Sequence, residues 1–215
     1  MIRVLLVDDH AVVRVGFKLL LQTATDMEVI GEADSGEAAF EKLSDDSPDA
    51  FPDVIVMDIS MPGIGGLEAL RRIKQRNPTV RILALSAHDD VMHAQRAMRQ
   101  GAVGFLSKRS APETLLEAVR AVSSGKRYID AKLADDLALS GVEVEGASLV
   151  DRLSEREFEV FLRLAKGATV EKIAKDLSVS SSTVGTHLYN VKQKLGAVNQ
   201  SELTLLALRA GLIEA

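Results

Sequence analysis

The sequence predicts a doubly wound α/β domain with a five-stranded parallel sheet, followed by a small all-α domain of four helices. Three observations carry this. Short Val/Ile/Leu runs alternate five times with segments of helical period over residues 2–123. The alternation stops after Gly125, and from Leu153 onward the pattern is helical throughout. A chain of 215 residues is long enough for two ordinary domains, and strand alternating with helix gives a parallel sheet covered on both faces.

The strand runs are Ile2–Val7, Val29–Ala33, Val54–Met57, Val80–Leu85 and Val103–Leu106. Each has the length and composition of a strand buried on both faces. Between the first two, Val13, Phe17, Leu20, Leu21 and Ala24 fall at i, i+4, i+7, i+8 and i+11, one apolar stripe. Residues 37–44, 66–76, 89–100 and 112–123 behave similarly, and Pro112 suits the first position of a helix. Residues 131–139 have the pattern of a short helix. Residues 140–148 offer Gly, Ser and acids without a period, which reads as a linker. The expected divisions are a first domain over 1–123, a linker with a short helix over 124–151 and a second domain over 152–215. Breaks at Gly167, Ser178–Ser180 and Gly196–Asn199 divide the second domain into its four helices.

Composition narrows the class. Aromatics are only 4%, so the cores must rest on Val, Ile, Leu and Ala. There is no cysteine, which excludes a disulfide scaffold and a thiolate metal site and fits a reducing cytoplasm. The N-terminus holds a short apolar run before two acids, unlike a signal peptide. No run approaches the length of a membrane span. The net charge of −5 is uneven: residues 150–215 carry nine Lys/Arg against eight Asp/Glu, so the acidity belongs to the front of the chain. The balance behind is compatible with a nucleic-acid partner.

In a doubly wound sheet, ligands bind beyond the carboxyl ends of the strands. The first strand ends in Asp8 and Asp9, the third in Asp58, the fourth in Ser86 and the fifth in Lys108. Asp8 or Asp9 alone would read as a helix cap, Lys108 alone as a solvated lysine, and Phe105 alone as a core aromatic. Their order on four strands singles them out together. Three converging carboxylates need a cation to remain charged, and oxygen ligands favour Mg²⁺. A carboxylate there can attack a phosphoryl group to give an acyl phosphate, with Lys108 offsetting the charge on its oxygens and the Ser86 hydroxyl donating to one of them. The loop from Pro62 to Gly66 lacks the lysine of a P-loop and reads as a turn. His10, His88, His93 and His187 show no zinc spacing, and His10 and His88 fall near the rim of this pocket.

Val7-Asp8-Asp9-His10, Met57-Asp58-Ile59-Ser60-Met61-Pro62-Gly63, Ser86-Ala87 and Phe105-Leu106-Ser107-Lys108 resemble the receiver signature, over residues 1 to about 123. The resemblance implies a flavodoxin/CheY-like fold in which Asp58 accepts a phosphoryl group from a sensor histidine kinase. It implies that Asp8, Asp9, Asp58 and the backbone carbonyl of Ser60 hold Mg²⁺. Lys108 would then contact the phosphoryl group, while Ser86 and Phe105 rearrange.

In the second domain, Ser154 can cap a helix and Glu157 can close a capping box. Val170–Leu177, a turn at Ser178–Ser180 and a following helix capped by Ser180 have helix-turn-helix spacing. On that last helix Val184, Leu188, Val191 and Leu195 form a buried stripe. The opposite face carries Ser182, Thr186, Tyr189 and Gln193, with Lys192 and Lys194 at its flanks. Polar residues first and lysines later suit a helix laid in a major groove, its lysines and N-terminal amides on phosphates. The run from Leu153 through Thr183-Val184-Gly185-Thr186-His187 to Lys194-Leu195-Gly196 is similar to the LuxR-type output domain.

With the receiver pattern, the chain is identified as resembling the NarL/FixJ response regulators, nearest the GacA/UvrY branch by Met61–Ala69 and Arg127–Ile129. The branch implies targets among small regulatory RNA genes and a hybrid sensor kinase. The family implies DNA contacts from Ser182, Thr183, Thr186, Tyr189, Lys192, Gln193 and Lys194, and a homodimer on double-stranded promoter DNA through the last helix. From its residues alone that helix, with Leu203, Leu206, Ala207 and Ala210 on one stripe, packs equally well on its own domain. Two departures stand out: many such domains carry Lys or Arg at Gly185 and Pro at Ser181. Glycine inside a helix costs about 1 kcal/mol relative to Ala; here it either lets the helix sit closer to DNA or weakens one contact.

The expected function is therefore transcriptional control switched by phosphorylation of Asp58, without turnover of a substrate. Two other functions use the same residues. One is a Mg²⁺-dependent phosphohydrolase working through an aspartyl phosphate. The other is a phosphorylation-independent docking module joined to a DNA-binding domain. A four-helix domain that binds protein is the alternative for the second half.

Overall fold

β1 (Ile2–Val7), β2 (Met27–Ala33), β3 (Val54–Asp58), β4 (Arg81–Ser86), β5 (Gly104–Ser107) and β6 (Tyr128–Ile129) form one parallel sheet in the order β2-β1-β3-β4-β5-β6. The computed structural model describes residues 1–43, 51–87, 91–110, 112–130, 133 and 147–213. The chain divides into two units, Met1–Ser140 and Gly141–Ala215.

Branched strands explain the layering of the first unit. Leu5, Val7, Ile55, Met57, Ile82, Ala84 and Phe105 point to one face, where α2 (Gly36–Lys42), α3 (Gly66–Arg76) and α4 (Val91–Arg99) pack. Val4, Leu6, Val54, Val56, Leu83, Leu85 and Leu106 point to the other, against α1 (Ala11–Gln22) and α5 (Pro112–Ser123). Both faces are dry, so each strand reads as a continuous apolar run rather than an alternating one. Each such Val, Leu or Ile contributes about 1.5–3 kcal/mol by leaving water. The sheet order reverses at β1, and the crevice beyond β1 and β3 is where such folds place ligands.

Among the described residues the sheet has six strands where the sequence predicts five. β6 pairs Tyr128 with Gly104 and Ile129 with Phe105. Two residues are too few to show a period, and only the exposed edge of β5 calls them into the sheet.

The second unit holds α6 (Ala147–Val150), α7 (Glu155–Ala165), α8 (Val170–Asp176), α9 (Ser181–Leu195) and α10 (Gln200–Arg209). The last four match the predicted helices; α6 falls where the sequence suggests linker. Apart from Leu133, the expected helix at 131–139 lies outside the described residues. Caps set the starts. Ser154 accepts from the Glu157 N–H while the Glu157 carboxylate accepts from the Ser154 N–H, a closed capping box. Thr169, Ser180 and Asn199 cap α8, α9 and α10 through their side chains. Val160, Leu164, Ile173, Ala174 and Val184 make the core. Ser178 takes the left-handed conformation (φ 55°) in the turn between α8 and α9.

Candidate functional site

β1 and β3 end side by side, and their last side chains meet an amine carried past the end of β5. The Lys108 Nζ lies 2.6 Å from Asp8 Oδ2 and 2.7 Å from Asp58 Oδ2. Both carboxylates are buried, at 2% and 1% exposure. The Ser60 N–H donates to Asp58 Oδ1 at 2.8 Å and the His10 N–H to Asp8 Oδ1 at 2.8 Å. The Lys108 N–H donates to the Ser86 carbonyl at 2.7 Å, which fixes the lysine's approach from β4. Under the pocket, Gly66 opens α3 so close to β3 that a Cβ there would lie 2.0 Å from the Asp58 carbonyl oxygen.

Ligand atoms of Asp8, Asp9, His10 and Asp58 all lie within 4.8 Å of one another, a group that could hold a metal ion. Asp8 Oδ2 and Asp9 Oδ1 are buried and receive no hydrogen bond, although Lys108 and His10 nitrogens lie near them. Burial is the main force on Asp58 and pushes its carboxyl above the usual aspartate range, against the pull of Lys108 and the Ser60 N–H. Burial also opposes the Lys108 charge, but Asp58 and Asp8 together outweigh it and hold the ammonium above the ordinary lysine value. Among the described residues the site thus sets one lysine ammonium against three carboxylates, which leaves its electrostatics able to take a further cation.

Ser86, the last residue of β4, and Phe105, the second residue of β5, are both fully buried. Ser60 is nearly buried, and its hydroxyl has no hydrogen-bond partner. His10 belongs to the acidic cluster rather than merely its rim: its Nδ1 is 2.8 Å from Asp9 Oδ1. His88 lies outside the described residues. Arg14, which the sequence gave no reason to single out, donates to the Asp8 carbonyl at 2.6 Å and to Glu32.

On α9, Val184 and Val191 are fully buried, Leu195 is buried and Leu188 packs against the same core. Ser182, Thr183, Thr186, Tyr189 and Gln193 are exposed, Tyr189 to 64%. The two lysine amines at the flanks of this face have partners inside the chain. Lys194 Nζ is held by Glu157 Oε2 at 2.5 Å, and Lys192 Nζ donates to the Val198 carbonyl at 3.1 Å. Both amines are engaged within the second unit. The Glu157–Lys194 pair joins residues 37 apart, a separation no helical period reveals.

Residues 4–120 match the response regulator receiver domain, and residues 151–207 match the bacterial regulatory proteins of the luxR family. The chain is 42% identical to the response regulator UvrY of Escherichia coli over all of this chain and 97% of that one. It is 37% identical to the response regulator GacA of Pseudomonas viridiflava over all of this chain and 99% of that one. Among solved structures, RcsB from Salmonella enterica serovar Typhimurium, bound to promoter rprA in the presence of the phosphomimetic BeF3-, is similar with a TM-score of 0.57. The two are 27% identical, with 96% of this chain and 98% of that one covered.

Proposed function

The chain belongs to the bacterial response regulators that join a receiver domain to a LuxR-type DNA-binding domain, and on that premise we propose that phosphorylation of Asp58 switches its hold on promoter DNA. Such a protein is a transcriptional regulator of a two-component system. The observation that carries the proposal is a single ammonium set between two buried carboxylates at strand ends, in a chain whose other unit exposes the polar face of a helix-turn-helix.

The proposed receiver is residues 1–123, the connection 124–151, whose β6 pairs back onto the receiver sheet, and the output domain 152–215. An oxygen of Asp58 attacks the donor's phosphorus. The bond from phosphorus to the donor's histidine nitrogen, or to the acetyl oxygen of acetyl phosphate, breaks, and its electron pair leaves with the donor. Lys108 donates to a phosphoryl oxygen in place of the Asp58 oxygen now esterified, and the Ser86 hydroxyl donates to another. Phe105 repacks beside them. The all-oxygen set of Asp8, Asp9 and Asp58, with the Ser60 carbonyl, suits Mg²⁺, and two of its oxygens are buried without hydrogen bonds. When bound, the ion supplies positive charge against the phosphoryl oxygens. A sensor histidine kinase is the natural donor for a receiver domain.

In the output domain α9 enters the major groove with Ser182, Thr183, Thr186, Tyr189 and Gln193 toward the bases. Lys192 and Lys194 exchange their internal partners for phosphates. Val198 and Leu205 stay exposed on and before α10, which suits a homodimer on DNA. Work on promoter DNA places the protein in the bacterial cytoplasm; among the described residues no helix is long and apolar enough to cross a membrane.

The test is a DNA-binding titration over genomic promoter fragments, with and without Mg²⁺ and acetyl phosphate, alongside Asp58→Ala. The phosphodonor is expected to tighten specific binding by on the order of 5- to 150-fold in wild type and not in the variant. Specific binding indifferent to both would leave the receiver a docking module. Catalytic consumption of the donor without specific binding would make the protein a phosphohydrolase.

A further inference from the structure

We infer that Gly185 is a specificity-determining position of α9, where the bare helix backbone seats the C5-methyl edge of a thymine. This rests on the reading of α9 as the base-reading helix. Gly185 lies inside the helix Ser181–Leu195, away from both caps, and its φ is not positive. No backbone conformation there demands glycine. It is exposed, and a Cβ built on it meets nothing within 4 Å. Close packing inside the chain does not demand glycine either. Glycine is the poorest helix former after proline, so its presence weakens α9 with no return inside the folded chain. The remaining use of a helical glycine is close approach of the backbone to something outside.

The neighbours say what that something is. Gly185 sits one turn from Ser182 and Tyr189 and beside Thr186, on the face read as DNA-facing. The two threonine hydroxyls near it are already committed: Thr183 Oγ1 is paired with Ser180 Oγ at 2.8 Å, and Thr186 Oγ1 donates to the Ser182 carbonyl at 3.1 Å. At Gly185 itself the surface is a bare Cα on a helix whose N–H groups bond within the turn, an uncharged notch that offers no donor of its own. In the major groove the base-edge group that fits an uncharged, donor-poor notch is the thymine methyl, read by contact rather than by hydrogen bonds.

The experiment uses the full chain. Wild-type protein treated with Mg²⁺ and acetyl phosphate selects duplexes from a random-sequence pool, and the enriched duplex is the probe. Gly185→Ala is expected to raise the thermal midpoint of the second unit by about 4 °C or more, yet to bind the probe at least tenfold more weakly. Replacing one thymine of the probe by deoxyuridine is expected to weaken wild-type binding and to restore most of the affinity lost by Gly185→Ala. Gly185→Lys, which adds a charge for phosphates, is expected to raise background binding while still losing the probe. A Gly185→Ala or Gly185→Lys protein that holds the probe as tightly as wild type overturns the inference, and so does a loss that no single deoxyuridine recovers. Enrichment of no sequence by wild type overturns the DNA-binding reading and this one with it.

Discussion

At the scale of single residues, the pocket depends on two positions of opposite kind. Gly66 contributes only its lack of a side chain, because the Asp58 carbonyl occupies the space a Cβ would need. Gly66→Ala must push α3 away from β3. Its expected cost is about 3 kcal/mol, the upper range for overfilling a packed site, read as a lower urea midpoint for the first unit. Lys108 contributes charge. Lys108→Ala leaves Asp8 and Asp58 facing each other without their ammonium, so a divalent cation is expected to bind more tightly, by several-fold in a Mg²⁺ titration, while phosphoryl transfer from acetyl phosphate slows. Equal Mg²⁺ affinity in the variant would show that the lysine and the ion do not compete for those oxygens. The acidic triad, Ser86 and Lys108 are legible from sequence because each terminates a strand run and the sheet brings strand ends together. Arg14 and Gly66 are not legible, because what each does at the pocket is to touch backbone, the Asp8 and Asp58 carbonyls, and backbone proximity leaves no pattern in side-chain chemistry.

Elements repeat the lesson. Five strands are readable because burial on both faces makes each a run of branched residues, and β6 is unreadable because pairing alone defines it. Two helices of the second unit are readable from caps: Ser154 and Ser180 each cap where a short polar residue precedes an apolar period. The tie between α7 and α9 is not readable. Burial pushes Glu157 up, but Lys194 and the Ser154 N–H pull harder and leave its carboxyl below its ordinary 4.5. A carboxyl lowered by folding adds stability above its unfolded pKa and gives it up as acid protonates it in the folded state. Glu157→Gln should therefore destabilise the second unit at neutral pH, by about 1 kcal/mol given how much of Lys194 stays in solvent. The gap from wild type should close as pH falls below 4.5. Hydrogen exchange of α9 amides across that range measures it; a gap independent of pH would mean the pair is not the source.

For the whole molecule, the sequence discloses two units and an acidic front; the strand pattern ends at Gly125, whereas the compact units divide at Ser140–Gly141. It discloses nothing of how the front instructs the back, since that depends on which strand lies next to which. β6 supplies one link. Ile129 is registered against Phe105, and Phe105 against Ala84, two residues before Ser86 on β4. The last sheet residue before the chain departs for the DNA-binding unit is thus one rung from the aromatic proposed to move. A two-residue strand is held by very few rungs, so it opens often and reports any disturbance of its neighbour as a change in opening frequency. Amide deuteration at Tyr128 and Ile129 should change several-fold when acetyl phosphate and Mg²⁺ are added, and should not change in Asp58→Ala. Ile129 then serves as a clock whose rate carries the state of the pocket to the start of the connection.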